Sequence, residues 1–212
     1  MIIAIDGPAA SGKGTLAKRI ALRYGLAHLD TGMLYRGVAR DMMRAGESLE
    51  DPALAERAAR RLDPADLDDP LLRARFMGEA ASMIAQYPEV REALLETQRN
   101  FASERAGAVV EGRDIGTVIF PNADVKLFIT ADLRERARRR CQELAARGEP
   151  AEEDAVYADL EKRDQRDRTR AVSPLRQAPD AHLLDTTKLD IEAAFFAAVR
   201  LIDAAISRSR DA

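Results

Sequence analysis

Cysteine is all but missing from this chain: Cys141 stands alone. That excludes an intramolecular disulfide and a cysteine-based metal cluster, and it fits a reducing compartment. Histidine is nearly as scarce. His28 and His182 both precede an apolar residue at a strand end, with no carboxylate or second histidine at metal-ligand spacing, so neither suggests a catalytic or metal role. Long hydrophobic runs are missing too. The opening MIIAI lacks a basic flank and meets Asp6, too short for the core of a signal peptide, and the later AAFFAAV cannot span a bilayer. A cytoplasmic protein without a membrane partner is expected. Lysine is confined to Lys13, Lys18, Lys126, Lys162 and Lys188, so arginine dominates the basic residues, and the net charge of -3 gives no general affinity for nucleic-acid polymers. Any phosphate chemistry must come from local cation clusters. There is no internal repeat, no low-complexity linker and no Asn-Lys-x-Asp guanine signature.

What is present is a soluble composition, 46% hydrophobic and 33% charged over 212 residues, enough for one domain with mobile appendages. Short apolar runs at MIIAI, LAHLD, AVVE, VKLFIT and HLLDT alternate with helical patterns. Continuous apolarity of this kind predicts a parallel sheet of about five strands with helices on both faces, a three-layer α/β fold. Leu16, Ile20 and Leu22 are expected on the buried face of the first helix, which Gly25 ends. A final helix from Asp190 repeats apolar residues at Ile191, Phe195, Val199, Ile202 and Ile206, the spacing of core packing. Two excursions interrupt the strands. One is helical, about 33 to 105, punctuated by Asp51-Pro52, Asp69-Pro70 and Tyr87-Pro88, where Asp before Pro suits a cap and first turn. The other, about 132 to 171, is more polar and turns at Gly148-Glu149-Pro150. The core is then about 1 to 32, 106 to 131 and 172 to 212.

Chemistry enters with GPAASGKGT (7 to 15), which fits Gly-x4-Gly-Lys between a predicted strand and a predicted helix. Backbone N–H groups of Gly7, Pro8's neighbours Ala9 and Ala10, Ser11, Gly12 and the helix N-terminus would cradle a polyphosphate, and Lys13 would reach its terminal phosphates. The usual Ser or Thr after Lys is replaced by Gly14, and the hydroxyl comes one place late at Thr15. Lys-Gly-Thr behind Gly-Pro resembles the loop of nucleoside monophosphate kinases, in which phosphate oxygens and water hold the metal instead of a direct side-chain ligand.

Three further stretches carry polar clusters. HLDTGMLYR presents Thr31, Gly32 and Arg36 after the second strand; EGRDIGTVIFPNA puts Arg113 and Asp114 at a strand's carboxyl end, where open parallel sheets bind ligands; and RDQRDRTR spaces Arg163, Asp167 and Arg170 along one helical face. Taken singly, each has an ordinary structural reading beside the ligand-binding one: a helix cap, a glycine turn and a solvated ion-pair ladder. In combination and order, GPAASGKGT, LDTGMLYRG, EGRDIGTVIFPNADVKLFIT, RDQRDRTRAVSPL and APDAHLLDTT resemble the bacterial cytidylate kinases over nearly the entire chain.

The resemblance implies a P-loop kinase that moves the γ-phosphoryl group of ATP to CMP or dCMP in pyrimidine nucleotide metabolism, with Mg2+ and as a monomer. It also implies residue roles. Lys13, Arg36, Arg113 and Arg163 would be the catalytic cations, Arg36 and Arg113 gripping the CMP phosphate. Thr31, Arg91, Asp114 and Arg170 would surround the cytosine edge, with Ser82, Arg163 and Asp167 at the pentose. Arg136 and Arg140 would lie over ATP as lid arginines. The segment 33 to 105 would bind the acceptor, and 132 to 171 would form the lid. Two departures stand out: Thr31 replaces a common Ser, and LDPADLDDPLLRARF is shorter than the family's insert, which predicts a reduced, helical acceptor side. A kinase of UMP, AMP, shikimate or a coenzyme precursor is the nearest alternative, followed by a nucleotide-binding regulatory module. Cys141 sits on an arginine-rich helix, a setting that favours a lowered pKa, but without a partner thiol no redox function is expected.

Overall fold

The computed structural model describes residues 1 to 210, with the side chains of residues 209 and 210 left aside. Along the chain run β1 (Ile2–Asp6), α1 (Lys13–Tyr24), β2 (Ala27–Asp30), α2 (Thr31–Arg44), α3 (Pro52–Arg61), α4 (Met77–Ile84), α5 (Pro88–Ser103), β3 (Ala108–Gly112), β4 (Val125–Thr130), α6 (Leu133–Ala146), α7 (Glu153–Thr169), β5 (His182–Asp185) and α8 (Ile191–Arg210). The strands form one parallel sheet in the order β2-β3-β1-β4-β5. The five predicted strands and the α/β layering are therefore what the chain adopts.

Alternation along β1 explains the layers. Ile3 and Ile5 point to one face, where Leu16 and Ile20 of α1 and Ala198 and Ile202 of α8 cover them; Ala4 points to the other, against Ala102 of α5 and the turn at Ile115–Ile119. Two smaller cores lie outside the sheet. Leu34, Val38, Met42, Leu72, Met77, Ile84 and Leu94 knit α2 to α5, while Ala137, Leu144, Val156 and Leu160 join α6 to α7 and take in Ala9 of the glycine loop. Among the described residues the segment 33 to 105 contains no strand, only the four-helix core and 3-10 turns at Pro64–Asp68 and Pro70–Arg73.

Local signals act where they were expected. Asp51 accepts from the N–H groups of Ala53 and Leu54 ahead of Pro52, and Asp69 caps the 3-10 turn begun by Pro70. Two apolar residues do not go where periodicity put them. Leu22 is 85% exposed, because it lies about 200° round the helix from Ile20; Ala17 and Ala21 fill the buried face instead. Ile191 is also exposed, at the mouth of a cavity beside the glycine loop.

Candidate active site

Strand β1 is central, and the chain passes first to its β3 side and later to its β4 side. The crevice at the carboxyl ends of β1, β3 and β4 is thus the topological switch point. The glycine loop fills it. A Cβ on Gly7 would come within 2.0 Å of the Ile129 carbonyl oxygen, so no other residue fits against β4 there. Ala10 and Gly12 have left-handed backbones (φ 58° and 85°), which turn the loop into the first turn of α1.

Two cavities meet at this loop. The larger, about 1000 Å³, is lined on its cationic side by Lys13, Lys18, Arg36, Arg113, Arg140 and Arg163; the smaller, about 680 Å³, lies between α6 and α8 and is lined by Ser11, Gly12, Thr15, Arg139, Thr186 and Ile191. Lys13 makes no ion pair among the described residues. Burial, and then the charge of Arg113, push it down to about 8. Burial and Arg113 likewise lower Arg163, and burial lowers Arg36, whose Nη1 donates to the Leu72 carbonyl at 2.9 Å. Such crowded, desolvated cations are costly unless an anion joins them.

Behind the cleft lies a buried polar network. Asp167 accepts from Arg113 Nε at 2.8 Å and from Ser82 Oγ at 3.0 Å, and lies 3.9 Å from Arg163. Burial alone would raise its pKa, but Arg113 and Arg163 overcome that and hold it at about 2. Asp114 pairs with Arg91 and, at 3.6 Å, with Arg170, whose Nε donates to the Ser173 carbonyl. Thr31 Oγ1 donates to the Glu111 carbonyl at 2.8 Å, and Gly112 is bare because a Cβ there would lie 2.6 Å from that hydroxyl. Among the described residues several buried polar atoms make no hydrogen bond, among them Arg91 Nε and Arg163 Nε, the latter held only by its longer ion pair with Asp167.

The nine residues expected around an acceptor therefore divide: Arg36, Arg113 and Arg163 line the open cleft, whereas Thr31, Ser82, Arg91, Asp114, Asp167 and Arg170 form the network behind it. The expected lid arginines divide too. Arg140 borders both cavities and pairs with Glu143. Arg136 does not lie over the donor side. It is buried, with Asp164 in a fork and the carbonyls of Ala9 and Ala131 accepting from Nη1 and Nε, so it braces the loop from behind. Cys141 also departs from expectation: burial, then Glu153, raises its thiol.

Three contributors escaped the sequence reading. Asp6 accepts from the N–H groups of Ile115 and Gly116, both at 2.8 Å, which fixes the turn that presents Asp114; burial pushes it up to about 6. Arg139 donates to Thr186 Oγ1 and O, and Thr186 Oγ1 donates to the Ser11 carbonyl, tying α6 to the loop. Glu111 lines the cleft with His28 Nε2 at 2.9 Å. The acid at the end of an apolar strand was the available signal for Glu111.

The chain resembles known proteins along nearly its whole length. The family model described as cytidylate kinase matches residues 3–203. A protein named cytidylate kinase from Rhodopseudomonas palustris (strain BisA53) is 56% identical over 204 residues, covering 96% of this chain and 97% of that protein. Another of that name from Nitrobacter winogradskyi is 57% identical over 209 residues, 99% of each. The fold alone is shared with the crystal structure of an uncharacterized protein from Eubacterium ventriosum ATCC 27560, at 16% identity and a TM-score of 0.57 over 96% of this chain and 98% of that one. A phosphate loop at the switch point, cations converging on one cleft and full-length likeness lead to one conclusion: this chain belongs to the cytidylate kinase family.

Proposed function

We infer that the protein carries out its family's reaction, transfer of the γ-phosphoryl group of ATP to CMP or dCMP, at the junction of the two cavities. The observation that carries this is the meeting of a donor-sized cavity and a cation-lined cleft at one glycine loop, with the arginine–carboxylate network immediately behind. ATP would enter from the smaller cavity and lay its triphosphate along 7 to 15, with Lys13 at the terminal phosphates and Arg140 closing from α6. The acceptor phosphate would meet Arg36 and Arg113. Its oxygen is already an anionic nucleophile, so the residues need only align the partners and spread charge; no general base is required.

Lys13, Arg36, Arg113 and Arg163 would carry that neutralisation. Asp114, held by Arg91 and Arg170, would orient the base together with Thr31, and Ser82, Arg163 and Asp167 would receive the pentose. For those contacts the buried network must open toward the cleft, and the Nε atoms of Arg91 within it and of Arg163 beside it, which make no hydrogen bond among the described residues, are donors available to an acceptor. Mg2+, bound to phosphate oxygens and water, would neutralise the β- and γ-phosphates. Asp30, a hard oxygen donor lining the cleft near Lys13, fits the task of accepting from its water shell with the carboxylate oxygen that does not cap α2.

The division into a core (1 to 32, 106 to 131 and 172 to 212), an acceptor-binding segment (33 to 105) and a lid (132 to 171) is supported by the separate cores that hold each excursion. A monomer acting in the cytoplasm completes this reading. The test is ADP formation from Mg-ATP with CMP, dCMP, UMP, AMP, GMP or no acceptor, with Arg113→Ala alongside. Stimulation by CMP and dCMP that Arg113→Ala loses is the expected result. Slow hydrolysis indifferent to every nucleotide would overturn the acceptor assignment.

A further inference from the structure

The lysine of the loop is more exposed to capture than its role allows. Lys13 lies in a desolvated place with two carboxylates, Asp30 and Glu111, near enough for their charges to oppose its depressed pKa. In such a place an ammonium and a free carboxylate attract strongly, and a pair formed between them would cancel the charge meant for phosphate. Yet no ion pair to Lys13 forms among the described residues. Asp30 is occupied as the cap of α2, accepting from Gly32 N–H at 2.9 Å. Glu111 is occupied by His28: Nε2 lies 2.9 Å from Oε1, on adjacent strands, both side chains lining the cleft. That contact turns the carboxylate against Gly14, where an added Cβ would lie 3.4 Å from both of its oxygens. The parked carboxylate thus lies at ordinary van der Waals range from where a side chain at Gly14 would begin.

We propose that His28 is a positioning residue: it holds the Glu111 carboxylate against Gly14 and so keeps Lys13 unpaired for the donor's phosphates. An uncharged imidazole suffices, since its Nε2–H donates to the carboxylate in that tautomer. The contact links two buried or half-buried groups with one charged partner, the class of hydrogen bond whose loss is felt most.

The inference rests on ATP being the donor held by the loop, and direct binding separates the two. Dissociation constants for Mg-AMP-PNP and for CMP are measured on the unsubstituted protein, His28→Leu, His28→Gln, Glu111→Gln and Glu111→Gln/His28→Leu, with melting temperatures alongside. His28→Leu is expected to weaken AMP-PNP about tenfold and leave CMP within about twofold, as expected of one charge-assisted hydrogen bond acting on one site. His28→Gln, which can still donate, restores most of the loss. In the Glu111→Gln background His28→Leu costs nothing further, because the charge it restrained is gone. Equal weakening of both nucleotides, an unchanged AMP-PNP affinity, or a loss that persists beside Glu111→Gln would overturn the proposal in favour of a plain tie between β2 and β3. Should His28→Leu fail to fold, His28→Gln against Glu111→Gln decides alone: tight binding by the former upholds the proposal, weak binding overturns it. Failure of the unsubstituted protein to bind AMP-PNP would remove the donor assignment itself.

Discussion

Lys13 illustrates the cost of keeping a charge ready. Its pKa is pushed down to about 8, from the ordinary 10.5, by burial and then by Arg113. The folded chain therefore gives up this proton more readily than the unfolded one, so stability attributable to Lys13 rises as pH climbs from about 8 toward 10.5 and is at its lowest below 8. Lys13→Met is accordingly expected to raise the melting temperature of the nucleotide-free protein at pH 7, to flatten the rise above pH 8, and to abolish ATP binding. Asp167 runs the other way. With its pKa held at about 2, below the ordinary 3.8, it contributes stability above that value and loses it as pH falls toward 2. Asp167→Asn leaves Arg113 and Arg163 buried without their carboxylate, and a loss of roughly 3 to 5 kcal/mol by denaturant unfolding at pH 7 is expected. Neither partnership was visible in the sequence, where Asp167 stands 54 residues from Arg113 and 85 from Ser82. The helical spacing of Arg163, Asp167 and Arg170 showed a cluster; the fold supplied what it faces.

At the scale of elements the sequence was most readable in the strands. The inner strands β1, β3 and β4 are mostly buried, largely apolar runs, because a strand covered on both faces by helices has little polar side to display, whereas the edge strands β2 (AHLD) and β5 (HLLD) are shorter, part-exposed and half polar. Helix faces were harder. In ERARRR every register offers arginines, and nothing local says that Arg136 turns inward to Asp164, that Arg139 reaches Thr186, or that Arg140 borders the cleft. That phase is set by Ala137, Leu144 and Leu160 packing in the α6–α7 core. The division has a measurable consequence. Arg136→Met strands a buried carboxylate and frees the Ala9 carbonyl, so its expected effect is chiefly a lower melting temperature. Arg140→Ala gives up only a pair with the half-exposed Glu143, so stability is expected to stay within about 0.5 kcal/mol while the KM for ATP rises severalfold. Opposite results for the two would return Arg136 to the donor site.

Across the whole molecule, the two excursions meet above the cleft. Arg166 Nη2 donates to Glu79 and Arg75 Nη2 to Asp159, each at 2.6 Å, and Arg147 Nη1 donates to the Arg73 carbonyl at 2.9 Å. Glu79, Arg75, Arg147 and Asp159 also line the cleft, so these contacts form its rim. Their side chains are mostly part-exposed, and exposed pairs are worth at most about 1 kcal/mol each. Two such pairs cannot hold a closed state against solvent for long, but they can shift the balance between open and closed forms several-fold. Glu79→Gln with Asp159→Asn removes both pairs without touching the donor loop. Faster hydrogen exchange in α7 of the nucleotide-free protein is expected, and the difference from the unsubstituted chain should shrink when AMP-PNP and CMP supply their own bridge between the excursions. Raising the salt concentration should quicken exchange in the unsubstituted protein toward the variant's rate and leave the variant little changed, since screening acts on the charges the variant lacks. Equal exchange in the two proteins at low salt would mean that the rim pairs follow closure and contribute nothing to it.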